Sequence, residues 1–354
     1  MTEPCDTRFC SLFARSQGEQ PVGNAPQTRR FLVVEVPTPW PRNFLEAPTL
    51  PQGLGALLLR AYEARIDFVP VGVVPDEEYS RPGLTRVMWL RRPEGAFARF
   101  ERGEWQLPTP RVAALCEALL FGDGLEGFEP YRSSFSGRDL LVCTHGTVDV
   151  CCAKFGYPVY RELRERYGGP GLRLWRCTHF GGHRFAPTLI DLPTGHYWGF
   201  IGPEDLDNLV FRDRPVFASK LRGWSALDCF GQMADGHLLE REGWGWLDRP
   251  REGRVVRVEG GERAMGLEWG AYTPIQHPDP PERVWVRLTC HSPGGEKEAY
   301  EVLIERAGVL QTVGQSGGEA MTVNRYRVRE VREASNYPKR SALGARRSTG
   351  EDPL

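Results

Sequence analysis

Twice along the chain a strand-length apolar run leads into a helix-period segment, a second strand, a hairpin and another helix, and that order leaves few folds open. In the first pass, Arg29 to Val36 (RRFLVVEV) is a β-branched run closed by Pro37. Gly53 to Arg65 carries apolar residues at helical spacing, and Ile66 to Val74 is a second strand closed by Pro75. Thr85 to Leu90 and Ala96 to Phe100 flank Arg-Arg-Pro-Glu-Gly as a hairpin, and Pro110 to Leu120 returns to the helical period. In the second pass, Asp139 to Cys143 is a strand, Tyr157 to Tyr167 a helix and Leu172 to Cys177 a strand. Thr188 to Leu192 and His196 to Ile201 then flank the turn Pro193-Thr194-Gly195, and Pro203 opens a helix to Phe211.

This order predicts an α/β protein with two thioredoxin-like units, one over residues 29–136 and one over 137–216. Residues 1–28 read as an irregular leader. Residues 217–332 read as a helix (Trp224 to Glu242) plus a mainly β extension, with strands at Arg283 to Cys290, Tyr300 to Glu305, Val309 to Val313 and Val323 to Val331. The stretch 333–354 loses apolar content and gathers basic residues, which predicts a disordered tail.

Forty-five basic against 46 acidic residues leave a net charge of -1, too little to hold nucleic acid or an anionic membrane as a bulk partner. No apolar core of signal-peptide length opens the chain, and no stretch approaches the ~18 apolar residues of a membrane helix, so a cytoplasmic location is expected. There, nine cysteines at uneven spacing point to metal or redox chemistry rather than a disulfide framework.

Four of those cysteines (143, 151, 152, 177) and three of the seven histidines (145, 179, 183) lie between Cys143 and His183. Cys143 ends a predicted strand, Cys151 and Cys152 follow a short loop, and His179 and His183 follow the next strand. In His179-Phe180-Gly181-Gly182-His183 the paired glycines argue against a helix and for a tight loop that brings both imidazoles to one point. A Cys, Cys, His, His donor set suits zinc, and it suits a [2Fe-2S] cluster with two histidines on one iron. Rieske motifs pair each cysteine with a histidine two residues away, whereas here both cysteines come from one loop and both histidines from another.

The stretches CTHGTVDVCCAKFG (Cys143 to Gly156), CTHFGGHRFAP (Cys177 to Pro187) and LIDLPTGHYWGFI (Leu189 to Ile201) resemble the sucrase/ferredoxin-like family, related to thioredoxin-like ferredoxins and to bis-histidinyl, non-Rieske [2Fe-2S] proteins. The resemblance covers about residues 8–215. It implies that Cys143 and Cys152 hold one iron and His179 and His183 the other, with Cys151 as the alternative to Cys152. A four-cysteine relative would instead recruit Cys177. No paired carboxylates support a glycosidase, and no GxGxxG supports a nucleotide site.

Beside those four residues, His145 is either a hydrogen-bonding neighbour of a ligand or a solvated loop histidine, and Asp149 either orients an imidazole or caps a turn. Arg184 and Lys154 would place positive charge at the site or serve as surface charges. Cys5, Cys10, Cys116, Cys177, Cys229 and Cys290 read as packed or idle, and Trp224, Trp244 and Trp246 as core. The expectation is a [2Fe-2S] one-electron carrier without catalytic residues, serving an unidentified redox protein. Its potential should fall as pH rises, through proton loss at the imidazoles. The rivals are a zinc-stabilised binding module and a thiol-based thioredoxin-like redox protein, the latter weakened by the absence of any C-x-x-C.

Overall fold

The computed structural model describes residues 8–261, 277, 279–292 and 294–334. Its chain order is α1 (Cys10–Ser16), β1 (Arg30–Glu35), α2 (Leu54–Glu63), β2 (Val69–Val73), β3 (Leu84–Arg91), β4 (Glu101–Pro108), α3 (Val112–Phe121), β5 (Arg138–Cys143), α4 (Val150–Tyr167), β6 (Leu172–Cys177), β7 (Leu189–Leu192), β8 (His196–Trp198), α5 (Leu206–Phe211), β9 (Leu221–Trp224) and α6 (Cys229–Glu242). Four strands follow: β10 (Arg251–Glu259), β11 (Arg283–His291), β12 (Lys297–Val313) and β13 (Ala320–Glu333).

Nine strands form one mixed sheet in the order β4-β3-β1-β2-β6-β5-β7-β8-β9, and β10 to β13 form a separate antiparallel sheet in sequence order. Within the large sheet the same pattern occurs twice. A parallel strand-helix-strand pair (β1 and β2; β5 and β6) is flanked on the first strand by an antiparallel hairpin (β3-β4; β7-β8), with a helix after it. The halves meet at their second strands, where β2 and β6 run antiparallel and pair only at Val73 and Cys177. Thr178 extends that thin joint, its N–H donating to Gly72 O at 2.8 Å and its Oγ1 accepting from Gly72 N at 2.9 Å.

Both faces of β1 are covered, which is why RFLVVE reads as an unbroken apolar run. Leu32 and Val34 pack with Leu54, Leu58 and Leu115 of α2 and α3. Phe31 and Val33 face the larger core, which continues through Trp175 and Trp224 to Val284, Val286 and Val302 of the second sheet. Buried ion pairs tie the layers together. Arg173 on β6 bridges Glu104 of β4 (2.7 Å) and Asp139 of β5 (2.8 Å), and Arg251 of β10 pairs with Asp235 of α6 at 2.6 Å.

Several element boundaries differ from the sequence reading. The leader contains α1, whose Cys10, Phe13 and Ala14 are buried. The second hairpin strand of the first half is Glu101–Pro108, beyond the expected Ala96 to Phe100, because its side chains include three charged residues and a glycine that obscure alternation. α4 begins at Val150 rather than Tyr157 and runs through Gly156 and Pro158. Trp224 ends β9 rather than starting a helix, and the expected strands 300–305 and 309–313 are one strand with a bulge between Arg306 and Val309. Trp224, Trp244 and Trp246 are buried, as expected. Cys5 and residues 335–354 of the expected disordered tail lie outside the described residues; Glu333 ends β13. Among the described residues, no helix is long and apolar enough to cross a membrane.

Candidate metal centre

The site lies where the ends of β5 and β6, the start of α4 and the glycine loop after β6 converge. Cys143 is the last residue of β5. Asp149 caps α4, its carboxylate accepting from Cys151 N at 2.9 Å, so Cys151 and Cys152 sit on the first helical turn rather than in a loop. Gly156 lets α4 press against β5, since a Cβ there would lie 2.1 Å from Cys143 O.

After β6 the chain turns through Gly181 (φ +89°) and Gly182 (φ +78°), conformations that favour glycine, and His183 opens a single 3₁₀ turn. Arg222, on β9, fixes this loop by donating to Gly181 O at 3.0 Å and Asn24 O at 2.6 Å. Its guanidinium occupies the space a Cβ on Gly182 would need. Burial lowers the Arg222 pKa to about 10.

Cys143 Sγ, Cys152 Sγ and a ring nitrogen of His179 lie within 4.8 Å of one another. His179 Nδ1 is 3.8 Å from Cys143 Sγ and 3.7 Å from Cys152 Sγ. Burial disfavours a thiolate at both sulfurs, but a hydrogen bond from Cys152 and the neighbouring His179 pull the Cys143 thiol down, while donation to Cys143 pushes Cys152 up. The donor chemistry fits a thiophilic metal group: two buried sulfurs and one imidazole nitrogen already face one point.

His183 is adjacent but turned. Its ring centroid is 5.3 Å from that of His179, while its Nδ1 faces Cys10 Sγ at 3.4 Å and Asp149 Oδ2 at 3.4 Å. Cys10, Asp149 and His183 thus form a second close group. Burial, reinforced by neighbouring His179, lowers the His183 pKa to about 4, so it is neutral at pH 7. Of the four residues singled out from sequence, three converge and the fourth stands at their edge with a different nitrogen environment. Both imidazoles are partly exposed, whereas both thiols are buried.

Cys151 points away from this centre, toward Cys10 Sγ at 3.6 Å and Ser316 Oγ at 3.3 Å. Cys177 is a buried end-of-strand residue opposite Val73. His145 is buried, not a solvated loop residue. Its Nε2–H donates to Pro41 O at 2.8 Å and its Nδ1 accepts from His179 N at 3.1 Å, which fixes the backbone that carries His179. Arg184 is buried in an ion pair with Glu19 at 2.8 Å, and Lys154 lies over the Phe9 ring, so neither is a bare charge at the site. Sequence reasoning missed Cys10, Arg222 and Ser316. Each reaches the site from a distant part of the chain, and no local spacing marks it.

A curated relative, altered inheritance of mitochondria protein 32 of Meyerozyma guilliermondii, is 27% identical over 95 residues, covering 24% of this chain and 34% of its own. The chain therefore spans about a third of the length of that relative. No solved structure matches. The sucrase/ferredoxin-like family profile matches residues 21–223, more than half of the sequence and the whole of both β-α-β halves, and this protein belongs to that family.

Proposed function

We propose that the protein is a one-electron carrier holding a [2Fe-2S] cluster on Cys143, Cys152, His179 and His183, in a thioredoxin-like half of the large sheet. The observation that supports it most is the approach of His179 Nδ1 to both Cys143 Sγ and Cys152 Sγ, with the His183 ring beside it. When bound, such a cluster accepts and releases one electron, and imidazole in place of thiolate raises its potential above that of an all-cysteine ferredoxin.

The chain's own residues supply the setting. Cys143 at the end of β5 and Cys152 on the first turn of α4 are kept dry, and the imidazoles form the wetter edge from which an electron would leave toward a partner redox protein. His145 holds the His179 backbone, and Arg222 holds the Gly181-Gly182 loop. Proton release from the outer imidazole nitrogens would couple electron and proton transfer. Redox titration followed by visible absorption tests the reading. The expected result is a reversible one-electron couple whose potential falls as pH rises between about 6 and 10. A protein with no couple, or a His183→Cys variant with the same potential and the same pH slope, contradicts it.

A further inference from the structure

The Cys10 and Cys151 thiols have no part in the proposed electron carrier, yet they face one another at 3.6 Å between Sγ atoms. They come from α1 and the first turn of α4, far apart in sequence, and are fully buried with Phe13, Ala186 and Val313 packed around them. The turn between β12 and β13 closes over the pair. Ser316 Oγ accepts from Cys10 N at 3.2 Å, and Ser316 N and Oγ donate to Asp149 at 2.8 and 2.7 Å. Three distant segments therefore hold two thiols in register. A disulfide needs about 2.05 Å between sulfurs, so the two sulfurs, already in contact, must draw closer for the bond to form. The other thiol next to Cys151 is its chain neighbour Cys152, which faces His179 instead.

We propose that Cys10 and Cys151 are a reversible disulfide site that staples α1 to α4 over the edge of the metal centre. The oxidant is a peroxide. Cys151 sulfur attacks the O–O bond of hydrogen peroxide, forming a sulfenic acid and releasing hydroxide, which takes up the thiol proton as water. Cys10 sulfur then attacks Cys151 sulfur, the S–O bond breaks, and the departing hydroxide leaves with the Cys10 proton as a second water. Two thiols lose two electrons and peroxide gains them. A dithiol reverses the reaction by exchange. The side chain of His183, beside Cys10, is 19% exposed, while both sulfurs are buried, so peroxide reaches Cys151 only through local opening at this edge. With the staple closed, α1 cannot lift away from His183.

The test uses the full chain, purified anaerobically, treated with stoichiometric hydrogen peroxide, alkylated, and digested without reduction. The expected result is a Cys10–Cys151 linked peptide as the dominant linkage, lost on dithiothreitol treatment, together with slower amide exchange across residues 10–16. In Cys10→Ser the expected result is a dimedone-reactive sulfenic acid at Cys151. The wild-type map decides even where that variant fails to fold. Linkage of Cys151 to Cys152 or to Cys143, or a Cys10 that remains alkylatable after oxidation, overturns the proposal. Visible absorption recorded on the same sample reports the cluster separately. A staple in a colourless protein would contradict the electron-carrier reading and leave this one standing.

Discussion

Cys151 and Cys152 are neighbours in sequence, but a helix turns about 100° per residue, so on the first turn of α4 their sulfurs point to different surroundings. Cys152 faces His179 and Cys143; Cys151 faces Cys10 and Ser316. Their acidities differ accordingly. A hydrogen bond from Cys10 outweighs burial and brings Cys151 down to about 6, whereas donation to Cys143 and burial both push Cys152 up. Cys152→Ser is therefore expected to lower bound iron per chain to near zero, while Cys151→Ser leaves it at the wild-type value; metal analysis of the two purified variants checks this. Equal loss in both would contradict the division of roles. The residue types of the candidate site and its glycine loop were legible in sequence, because Cys-x₈-Cys and His-x₃-His are local patterns. The orientation of His183 was not, since Cys10 and Asp149 draw its Nδ1 from elsewhere in the fold.

Among the elements, β1 and β2 were readable because strands buried on both faces read as near-continuous apolar runs, and β5 and β6 were readable from their Leu140-Leu141-Val142 and Leu174-Trp175 stretches despite Asp139 and Arg173. α4 was readable only in its second half. Gly156 and Pro158 look like helix breakers, but Gly156 allows the close approach of the helix to Cys143 O, and the Asp149 cap fixes the start seven residues before the expected position. α1 gives no sequence signal of comparable strength at seven residues, and its stability comes from docking rather than propensity. β10 was missed because its solvent-facing side carries arginines and glutamates that mask alternation. The order of elements was thus more legible than their edges, and the pairing of β2 with β6 was not legible at all.

At the scale of the whole molecule, one sheet is assembled from two similar halves, and buried charge holds its parts in place. Asp191 on β7 is buried, which favours its protonated form, yet Arg138 (2.7 Å) and Arg212 (3.2 Å) override this and hold its carboxyl below the usual range. Glu104 is likewise held down against burial, by Arg173, Arg86 and Arg102. A carboxyl whose folded pKa is depressed contributes stability that is complete above its unfolded value of about 4 and is lost as pH falls through the folded value. Thermal unfolding midpoints should accordingly be flat from about pH 7 to 5 and fall below about pH 4. Asp191→Asn should cost about 3–5 kcal/mol at pH 7, because it strands two arginines, and the gap to wild type should narrow as pH drops. Calorimetry of both proteins across this range checks the sign, and a gap that widens in acid would contradict it.

The protein's chemistry turns on the group that Cys143, Cys152, His179 and His183 would hold. The most direct measurement is iron, sulfide and zinc analysis of anaerobically purified protein, with absorption and EPR spectra before and after dithionite. An electron carrier of this kind should give two irons and two sulfides per chain, visible charge-transfer bands, and an S = 1/2 signal on reduction with Rieske-like g values. A colourless, EPR-silent protein containing one zinc would contradict it and make the same residues a structural site.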